Sequence, residues 1–385
     1  MIYVCDAITG VGKTSSAIRF MNEHPEGRYI YIAPFLDRDG RIHKECPELN
    51  FVEPEVHPVK LEIIADDNDE ISDGYRNCTK YEDFIRLLRL GANISSTHQL
   101  FTRYTDEACN LFHEYGYTLI IDECLDTFIM ERISSGDLEI MLSAGAIELA
   151  GDTIVAAPGG SQMLYNSRAL REYGLRLQNH QLHIVKHSSG GDRPVSYGMW
   201  SLNKRALDSF KDVYLLTYRF ETTDMAYYFA IENVDYQFIG VDCDDNGFHF
   251  SAAGGYIPAY TSKLPERIHI IENDRLNDIG DEWNALNVSW YKDASRFDPG
   301  LLNNNLRTFT ERRGVPNGPP LQKDGLDATT RRLLTTYKSW RSKITQWQWK
   351  GVWVPYTQKG INSMRNRDVL AWLVNLYQNG TKRSF

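Results

Sequence analysis

Near the start of the chain, glycines, a lysine and a threonine have the spacing of a phosphate-binding loop. Ala7–Thr14 reads A-x-x-x-x-G-K-T, and it lies between an apolar run, Met1–Cys5, and a helix-like run that begins at Ser15. A strand, a glycine-bearing loop and a helix, in that order, are the context that such a loop requires. We call residues 7–14 the glycine loop and predict that it binds the phosphates of a nucleotide.

Each residue type in the glycine loop has a chemical reason. Gly10 and Gly12 let the backbone turn so that several N–H groups converge on phosphate oxygens, and the N-terminus of the next helix favours the same anion. Lys13 would reach the β- and γ-phosphates, and the Thr14 hydroxyl would bind Mg²⁺. The alternative is a plain glycine turn with an exposed lysine. The predicted nucleotide contacts are Thr9, Gly10, Val11, Gly12, Lys13, Thr14 and Ser15.

An acidic pair, Asp122 and Glu123, ends the apolar run at residues 117–121. A buried parallel strand has this pattern, because it is apolar until its carboxyl end. Asp122 would then bind Mg²⁺ together with Thr14, and Glu123 would orient the attacking water. With Lys13 as a third catalytic residue, the two motifs predict binding and hydrolysis of a nucleoside triphosphate, with ATP and Mg²⁺ as cofactors.

Apolar runs alternate with helix-like segments, which predicts an α/β fold with mainly parallel sheets flanked by helices. Strands are predicted at residues 1–5, 28–34, 117–123, 152–158 (parallel), 212–220 and 267–271, and within residues 91–101, where the strand ends in Ser96-Thr97-His98. Hairpin insertions are predicted at residues 183–202 and 236–252. Helices are predicted at residues 35–43, 81–90, 276–290, 331–344 and 368–377. Because residues 203–210 are polar, we predict two domains, residues 1–205 and 206–385.

The charge of the chain is unevenly distributed. The net charge is −9, but residues 301–385 contain 15 lysines and arginines against 4 acids. Aromatic side chains alternate with these cations between Arg331 and Lys359. Cations neutralise phosphates and aromatic rings stack on bases, so this end predicts a nucleic-acid partner, single-stranded DNA, contacted by Arg341 and Lys343. The alternative is that the tryptophans are core residues and that the basic end serves solubility.

Several classes of protein are disfavoured by composition. No apolar run approaches the roughly 20 residues that a membrane-spanning helix needs, so no membrane partner is expected. The chain enters a predicted strand at once, which leaves no room for a signal peptide. The six cysteines are scattered without a C-x-x-C motif, which disfavours a zinc site and fits a reducing compartment. We therefore expect a cytoplasmic protein.

In the order of its motifs, the chain resembles the first RecA-like domain of superfamily 2 (DEAD/DEAH-related) helicases. The residues that carry the likeness are Ala7–Thr14, Ile32–Pro34, Ser95–His98 and Ile120–Glu123. Leu215–Tyr218 resembles the start of the second RecA-like domain, and segments at 277–291 and 362–373 resemble phage-encoded helicase-like proteins. The resemblance implies two RecA-like domains that hydrolyse ATP between them. It also implies nucleic-acid contacts at Pro34, Ser96, Thr97 and His98.

Three features of these helicases are missing. Residues 155–158 lack the hydroxyls of the coupling tripeptide, no glutamine segment precedes the glycine loop, and the second-domain Q-x-x-G-R-x-x-R is absent. Arg365 and Arg367 are predicted to replace its catalytic arginine, with Lys359 as a third candidate. These departures count against processive unwinding more than against hydrolysis. The expected function is a nucleic-acid-dependent ATPase motor of phage replication, with a replication or packaging protein as a candidate partner.

Two other functions remain open. A viral DNA-packaging (terminase-like) ATPase with a nuclease domain would use Asp242, Asp244 and Asp245 for a two-metal acidic site. Such a D-D-N-G sequence is more commonly a hairpin turn. The third function is a non-catalytic interaction protein that is switched by nucleotide binding. Metal-dependent cleavage of DNA would favour the packaging ATPase with a nuclease domain. Nucleotide binding without turnover would favour the interaction protein.

Overall fold

The computed structural model describes residues 1–34, 40–60, 75–150, 153–178, 180–187, 195–253, 284–293, 295–307, 332–345, 352–356 and 369–376, and single positions at 266, 268, 270, 279 and 367. The chain forms two compact units, Met1–Pro258 and Ala259–Phe385. Both units are mixed α/β structures that contain a parallel sheet.

Strands and helices alternate through much of the first unit. Its described strands are β1 (Ile2–Asp6), β2 (Tyr29–Ala33), β3 (Pro58–Lys60), β4 (Tyr75–Asn77), β5 (Ile94–Thr97), β6 (Thr118–Asp122), β7 (Phe128–Arg132), β8 (Ile147–Ala150), β9 (Thr153–Ala156), β10 (His180–His187), β11 (Val195–Leu202), β12 (Asp212–Thr217), β13 (Gln237–Asp244) and β14 (Gly247–Ala252). Its described helices are α1 (Lys13–Glu23), α2 (Arg41–Glu45), α3 (Lys80–Arg89), α4 (His98–Phe101), α5 (Asp106–Tyr115), α6 (Ser135–Ser143), α7 (Gly160–Asn166), α8 (Arg171–Leu177), α9 (Arg205–Asp208) and α10 (Asp224–Ile231).

A seven-stranded sheet organises the first unit, with strand order β14-β13-β1-β12-β6-β2-β5. Its neighbouring strands are parallel except for β14, which pairs antiparallel with β13. The predicted strands β1, β2, β5 and β6, the predicted helix α3 and the predicted β13–β14 hairpin are confirmed.

Both faces of this sheet are covered by helices, as the apolar strands require. Along β6, Leu119 and Ile121 pack on one face with α3, α5 and α10. Ile120 packs on the other face with α1 and α2. Helix α3 begins at a capping box in which Thr79 and Glu82 each accept a backbone N–H of the other residue.

A second sheet is inserted between β6 and β12. Its strand order is β7-β11-β10-β9-β8, its neighbouring strands are antiparallel, and its core contains the fully buried Trp200. The predicted hairpin at residues 183–202 is confirmed as β10 and β11, and its turn at 188–194 lies outside the described residues. The parallel strand predicted at 152–158 is wrong in direction, because β9 pairs antiparallel with β8 and β10. A short apolar run indicates burial but does not encode the direction of pairing.

The observed units divide the chain later than the predicted boundary at residues 205 and 206. Strand β12, predicted to begin the second domain, lies in the middle of the first sheet and pairs with both β1 and β6. The hairpin β13–β14 extends the same sheet. Residues 206–258 therefore belong to the first unit, since the hydrogen bonds of these strands complete its sheet.

The second unit contains a smaller parallel sheet. Its described strands are β15 (Arg332–Thr335), β16 (Val352–Val354) and β17 (Val369–Trp372), and its described helices are α11 (Val288–Lys292), α12 (Pro299–Arg307) and α13 (Arg341–Ile344). Strand β15 is central and pairs in parallel with β16 and β17. An aromatic core that includes Trp290, Tyr291 and Phe297 packs with this sheet.

Two helix predictions in the second unit are wrong. Residues 332–335 form β15 within the predicted helix 331–344, and residues 369–372 form β17 within the predicted helix 368–377. Along β17, Val369 and Ala371 are buried while Leu370 and Trp372 are exposed, so the period is two. Of the helix predicted at 276–290, residues 284–287 are not helical and α11 begins at Val288, while residues 276–278 and 280–283 lie outside the described residues. Residues 35–39 of the helix predicted at 35–43 and alternate positions of the strand predicted at 267–271 also lie outside them.

Among the described helices, none combines the length and hydropathy that crossing a lipid bilayer would require.

Candidate functional site

The first sheet brings the glycine loop and the acidic pair to the same edge. The loop follows β1, the acids follow β6, and only β12 lies between these two strands. The strands are parallel, so their carboxyl ends meet. The carboxyl edge of an open parallel sheet is where α/β proteins bind ligands.

The backbone of the glycine loop has the conformation that its glycines allow. Gly10 and Gly12 have φ values of 84° and 98°, a region that residues with a Cβ atom rarely adopt. Val11 is fully buried and anchors the loop to the core. The ring of Phe248, on β14, lies so close to Gly12 that a Cβ atom there would overlap it. The loop is therefore held on its outer side by the β13–β14 hairpin.

The Lys13 side chain lies over the start of the loop. Its Nζ donates hydrogen bonds to the carbonyl oxygens of Ala7 and Ile8, at 2.6 and 3.2 Å, and the residue is only 9% exposed. Burial lowers the pKa of Lys13, and the nearby carboxylates of Glu123 and Asp122 oppose that shift. The ammonium is thus partly desolvated, which strengthens its attraction to an anion.

Thr14 and Asp122, separated by 108 positions in sequence, meet at the edge of the sheet. The Thr14 hydroxyl donates to Oδ2 of Asp122 over 3.4 Å. Two oxygens at this separation can both reach one Mg²⁺ ion, whose metal–oxygen distance is about 2.1 Å. Within the described residues no group of three or more His, Cys, Asp or Glu side chains could hold a metal, so water and phosphate oxygens would supply the other ligands.

Two further residues, Tyr31 and His98, fix Asp122. The Tyr31 hydroxyl donates to its Oδ2 over 2.6 Å, and Nε2 of His98 lies 3.0 Å from its backbone oxygen. Because a carbonyl oxygen can only accept, Nε2 of His98 carries the proton in this contact. Burial raises the pKa of Asp122, while the Tyr31 hydrogen bond and the positive charge of Lys13 lower it, and the net shift is upward.

Glu123 has a strained backbone. Its φ of +68° places a non-glycine residue in the left-handed region, and its N–H donates to the carbonyl oxygen of Leu216 over 2.8 Å. Such conformations persist only where the surrounding structure enforces them, and they cluster at functional sites. The bond to β12 turns the chain out of the sheet directly after Asp122.

Strand β12 also closes the base of the glycine loop, which the sequence analysis did not predict. The backbone N–H of Ala7 donates to the carbonyl oxygen of Thr217 over 3.1 Å. The carboxylate of Asp6 accepts the N–H groups of Arg219 and Phe220 at 2.7 and 2.9 Å. The sequence did contain one signal for this arrangement, because the neighbouring strands β1, β12 and β6 each end in a polar residue, Asp6, Thr217 and Asp122. Their adjacency depends on the strand order, which the sequence does not state.

The four residues predicted to contact nucleic acid in the first unit have different surroundings. Pro34 follows β2, and Ser96 is buried in β5. Thr97 caps α4 by accepting the N–H of Leu100 over 3.3 Å. Ser96 and Thr97 also line a cavity of about 600 Å³, together with Pro54, Val56, Asn77, Cys78, Thr79, Lys80, Gln99, Leu100 and Arg103. His98 has a structural role through its bond to the Asp122 backbone.

The predicted nucleic-acid residues of the second unit, Arg341 and Lys343, are both exposed. The guanidinium of Arg341 lies 5.3 Å from the ring centre of Trp353, and Nζ of Lys343 lies 4.1 Å from that of Trp340. Trp340 and Trp353 pack against the aromatic core, so each single tryptophan has a structural role as well. Trp347 and Trp349 lie outside the described residues.

The candidates for the arginine finger belong to the second unit. Arg365 and Lys359 lie outside the described residues, and Arg367 is a half-buried residue of the second unit. The acids of the nuclease alternative lie on the β13–β14 hairpin, where Asp244 pairs with Arg19 at 2.8 Å and Asp242 accepts the N–H of Cys243. Asp244 also accepts the N–H of Asn246, so the contacts of Asp242 and Asp244 are those of a hairpin turn and an ion pair.

Comparison with known proteins gives two matches. Residues 262–385 match the model of a family described as the YonV C-terminal Rossmann-like domain. Over 380 residues the chain is 27% identical to an SPbeta prophage-derived uncharacterized protein YonV of Bacillus subtilis (strain 168), covering 98% of this chain and 85% of that protein. The prophage source of this relative supports the expected phage origin.

These matches correct the predicted family. The second unit is similar to a Rossmann-like domain, and the prophage relative is described as uncharacterized. Neither match indicates a superfamily 2 helicase, so the resemblance drawn from the order of the motifs is wrong. Short nucleotide-binding motifs are shared by many protein families and do not identify one of them.

Proposed function

We propose that the first unit is a magnesium-dependent nucleoside triphosphatase with a RecA-like P-loop arrangement. The observation that carries this proposal is the meeting of Thr14 and Asp122, whose oxygens lie 3.4 Å apart at the mouth of the glycine loop. Lys13 and Glu123 lie at the same edge of the sheet as Thr14 and Asp122. Together they supply a phosphate cradle, a cation, two metal ligands and a carboxylate for the water.

In the proposed mechanism, the N–H groups of the glycine loop and the start of α1 bind the phosphates. Lys13 leaves the carbonyls of Ala7 and Ile8 to contact the β- and γ-phosphates. Thr14 and Asp122 would hold Mg²⁺, which would supply positive charge to offset that of the phosphoryl group. Glu123 accepts a hydrogen bond from the attacking water and orients it towards phosphorus.

The test is phosphate release from ATP by the full chain, measured with Mg²⁺ and with excess EDTA. Lys13→Ala and Glu123→Gln should each lower turnover by roughly 100-fold or more. Glu123→Gln should still bind ATP, because its role is in the chemical step. Lys211→Ala, an exposed lysine at the opposite end of β12, is the matched control. Wild-type turnover in Lys13→Ala would disprove the assignment of the loop.

For the second unit we propose a nucleic-acid strand as the partner. Support comes from the excess of 11 positive charges over residues 301–385 and from the exposed cations at Arg341 and Lys343, which lie against tryptophan rings. Such a surface combines phosphate neutralisation with aromatic contact. Adding single-stranded or double-stranded DNA or RNA to the ATPase assay tests this proposal. Stimulation by one of them would identify the partner, and no stimulation by any would count against it.

A further inference from the structure

Arg41 lies next to the glycine loop, although the sequence analysis assigned it no role. It is the first residue of α2, and its Nη2 donates a 2.9 Å hydrogen bond to Oγ of Ser15. Ser15 follows Thr14 in the first turn of α1. The guanidinium therefore contacts the residue of α1 that directly follows Thr14, the proposed metal ligand.

Two hydrogen bonds show which side of the loop Arg41 occupies. Its guanidinium donates to Ser15, and the preceding residue, Thr14, donates to Asp122, the carboxylate proposed to bind Mg²⁺. Burial lowers the pKa of Arg41, the hydrogen bond and charge of Glu45 raise it, and the net shift is upward, so the guanidinium stays charged. Thr14 and Asp122 would hold the metal beside the terminal phosphates, which would place those phosphates on the side of the loop that Arg41 occupies.

Lys13 alone does not balance the charge of this region. Besides burial, the pKa of Lys13 responds to the carboxylates of Glu123, Asp122 and Asp6. A magnesium-bound triphosphate would add roughly two more negative charges. A second cation near the terminal phosphate would offset part of this negative charge. A guanidinium suits that position, because it stays charged and carries five N–H donors in one plane, so that some can bind phosphate while others are held by the protein.

We propose that Arg41 binds the γ-phosphate from within the first unit and stabilises the charge that develops on it during hydrolysis. This inference rests on the proposed nucleotide hydrolysis. The bonds to Glu45 and Ser15 use Nε and Nη2 and orient the guanidinium, and the edge at Nη1 is the one assigned to phosphate. Arg41 would then fill the role that the sequence analysis gave to Arg365 and Arg367.

The experiment compares Arg41→Ala and Arg41→Lys with the wild-type full chain. Turnover of ATP and the affinities for ATP and ADP are measured, with affinities determined in the Glu123→Gln background to prevent hydrolysis. Arg41→Ala should lower turnover by about 100-fold and ATP affinity by about 10-fold, with ADP affinity changed by less than about twofold. Arg41→Lys should keep part of the preference for ATP over ADP, because the charge remains, but not the full rate.

Arg89→Ala is the control, because Arg89 is also a helix arginine paired with a carboxylate, that of Glu107, but α3 packs on the sheet face opposite to α1 and α2. It should leave turnover and the ATP preference unchanged, with thermal unfolding reporting on the fold of every variant. If Arg41→Ala or the folded Arg41→Lys keeps both the wild-type rate and the ATP preference, Arg41 is structural and the inference is overturned. If the wild-type chain neither binds nor hydrolyses ATP, the proposed function itself falls.

Discussion

The hydroxyl of Tyr31 donates a 2.6 Å hydrogen bond to Oδ2 of Asp122. The two residues lie on neighbouring parallel strands, β2 and β6. The bond stabilises the charged form of the carboxylate and fixes its direction, so that Asp122 faces the Thr14 hydroxyl. Partners that orient a metal ligand in this way contribute to metal affinity without touching the metal.

Replacing Tyr31 with Phe should therefore weaken the response to magnesium. We expect the Mg²⁺ concentration for half-maximal ATP turnover to rise by about 10-fold or more, because Asp122 loses its orienting bond and its ionised form is less stable. A magnesium titration of turnover measures this change. Tyr29→Phe is the control, since Tyr29 lies on the same strand and its hydroxyl donates instead to the His24 carbonyl. Equal shifts in both variants would contradict the assignment.

Gly12→Ala should destabilise the first unit and abolish turnover. A φ of 98° costs a residue with a Cβ roughly 1–2 kcal/mol, and overlap with the Phe248 ring adds about 1–3 kcal/mol. Urea unfolding of Gly12→Ala, Phe248→Ala and the double variant forms a double-mutant cycle. The double variant should lose less stability than the sum of the single changes, by about 1 kcal/mol or more. Strict additivity would mean that the ring and the loop are not in contact.

His180 should make the stability of the first unit fall with decreasing pH. Burial lowers the pKa of His180 from 6.5 to about 4, so between these values the unfolded chain binds more protons than the folded chain. The contribution of His180 to the free energy of unfolding is complete above pH 6.5 and is lost as the pH falls towards 4. The expected loss between pH 7 and pH 5 is about 2 kcal/mol. Urea unfolding of wild type and His180→Leu at both pH values measures it.

The quantity compared in that experiment is the change in unfolding free energy between the two pH values. His180→Leu should show a smaller change than wild type, since it has no imidazole to protonate. His113→Leu removes an exposed histidine from α5 and should behave like wild type. Identical pH dependence in all three proteins would show that His180 titrates normally in the folded chain.

Reversing the charges of Arg341 and Lys343 should weaken binding to single-stranded DNA. Each lost cation removes a phosphate contact, so the slope of log affinity against log salt should become shallower by about 0.7 per residue. Fluorescence anisotropy at several salt concentrations measures both quantities. Lys204→Glu with Lys211→Glu changes the net charge equally but lies in the first unit. If that control variant weakens binding as much, the effect is one of net charge and not of this surface.

The glycine loop and the acidic pair were visible in the sequence because each is a local pattern with a chemical reason. Lys13 and Thr14 lie within a single turn, and Asp122 ends an apolar strand. The contacts that position them were not visible. Tyr31 reads as an ordinary strand residue and Arg41 as a surface cation, but the fold brings Tyr31 to Asp122 and Arg41 to Ser15. Such contacts depend on tertiary structure, which local patterns do not encode.

The second unit was predicted least well, and its strands show why. Strand β17 is only four residues long, and its flanking residues Leu373 and Val374 extend an apolar pattern that also matches a helix. A short apolar run of this kind does not distinguish the two structures. Strand β15 presents the same ambiguity. The pairing of both strands in one sheet resolves it, and that pairing is a long-range property.

The late position of β12 in the chain affects how the protein is made. On the ribosome, β1 emerges first, but its hydrogen-bonded neighbours are β12 and β13, which are synthesised after the whole inserted sheet. Strands β2, β5 and β6 can pair with one another much earlier. The nascent chain thus carries the glycine loop on a strand without neighbours until β12, which ends at Thr217, has been added. The edge at which Lys13, Thr14 and Asp122 meet is therefore complete only late in translation, and messages truncated before the codon for Asp212 encode chains in which β1 lacks both neighbours.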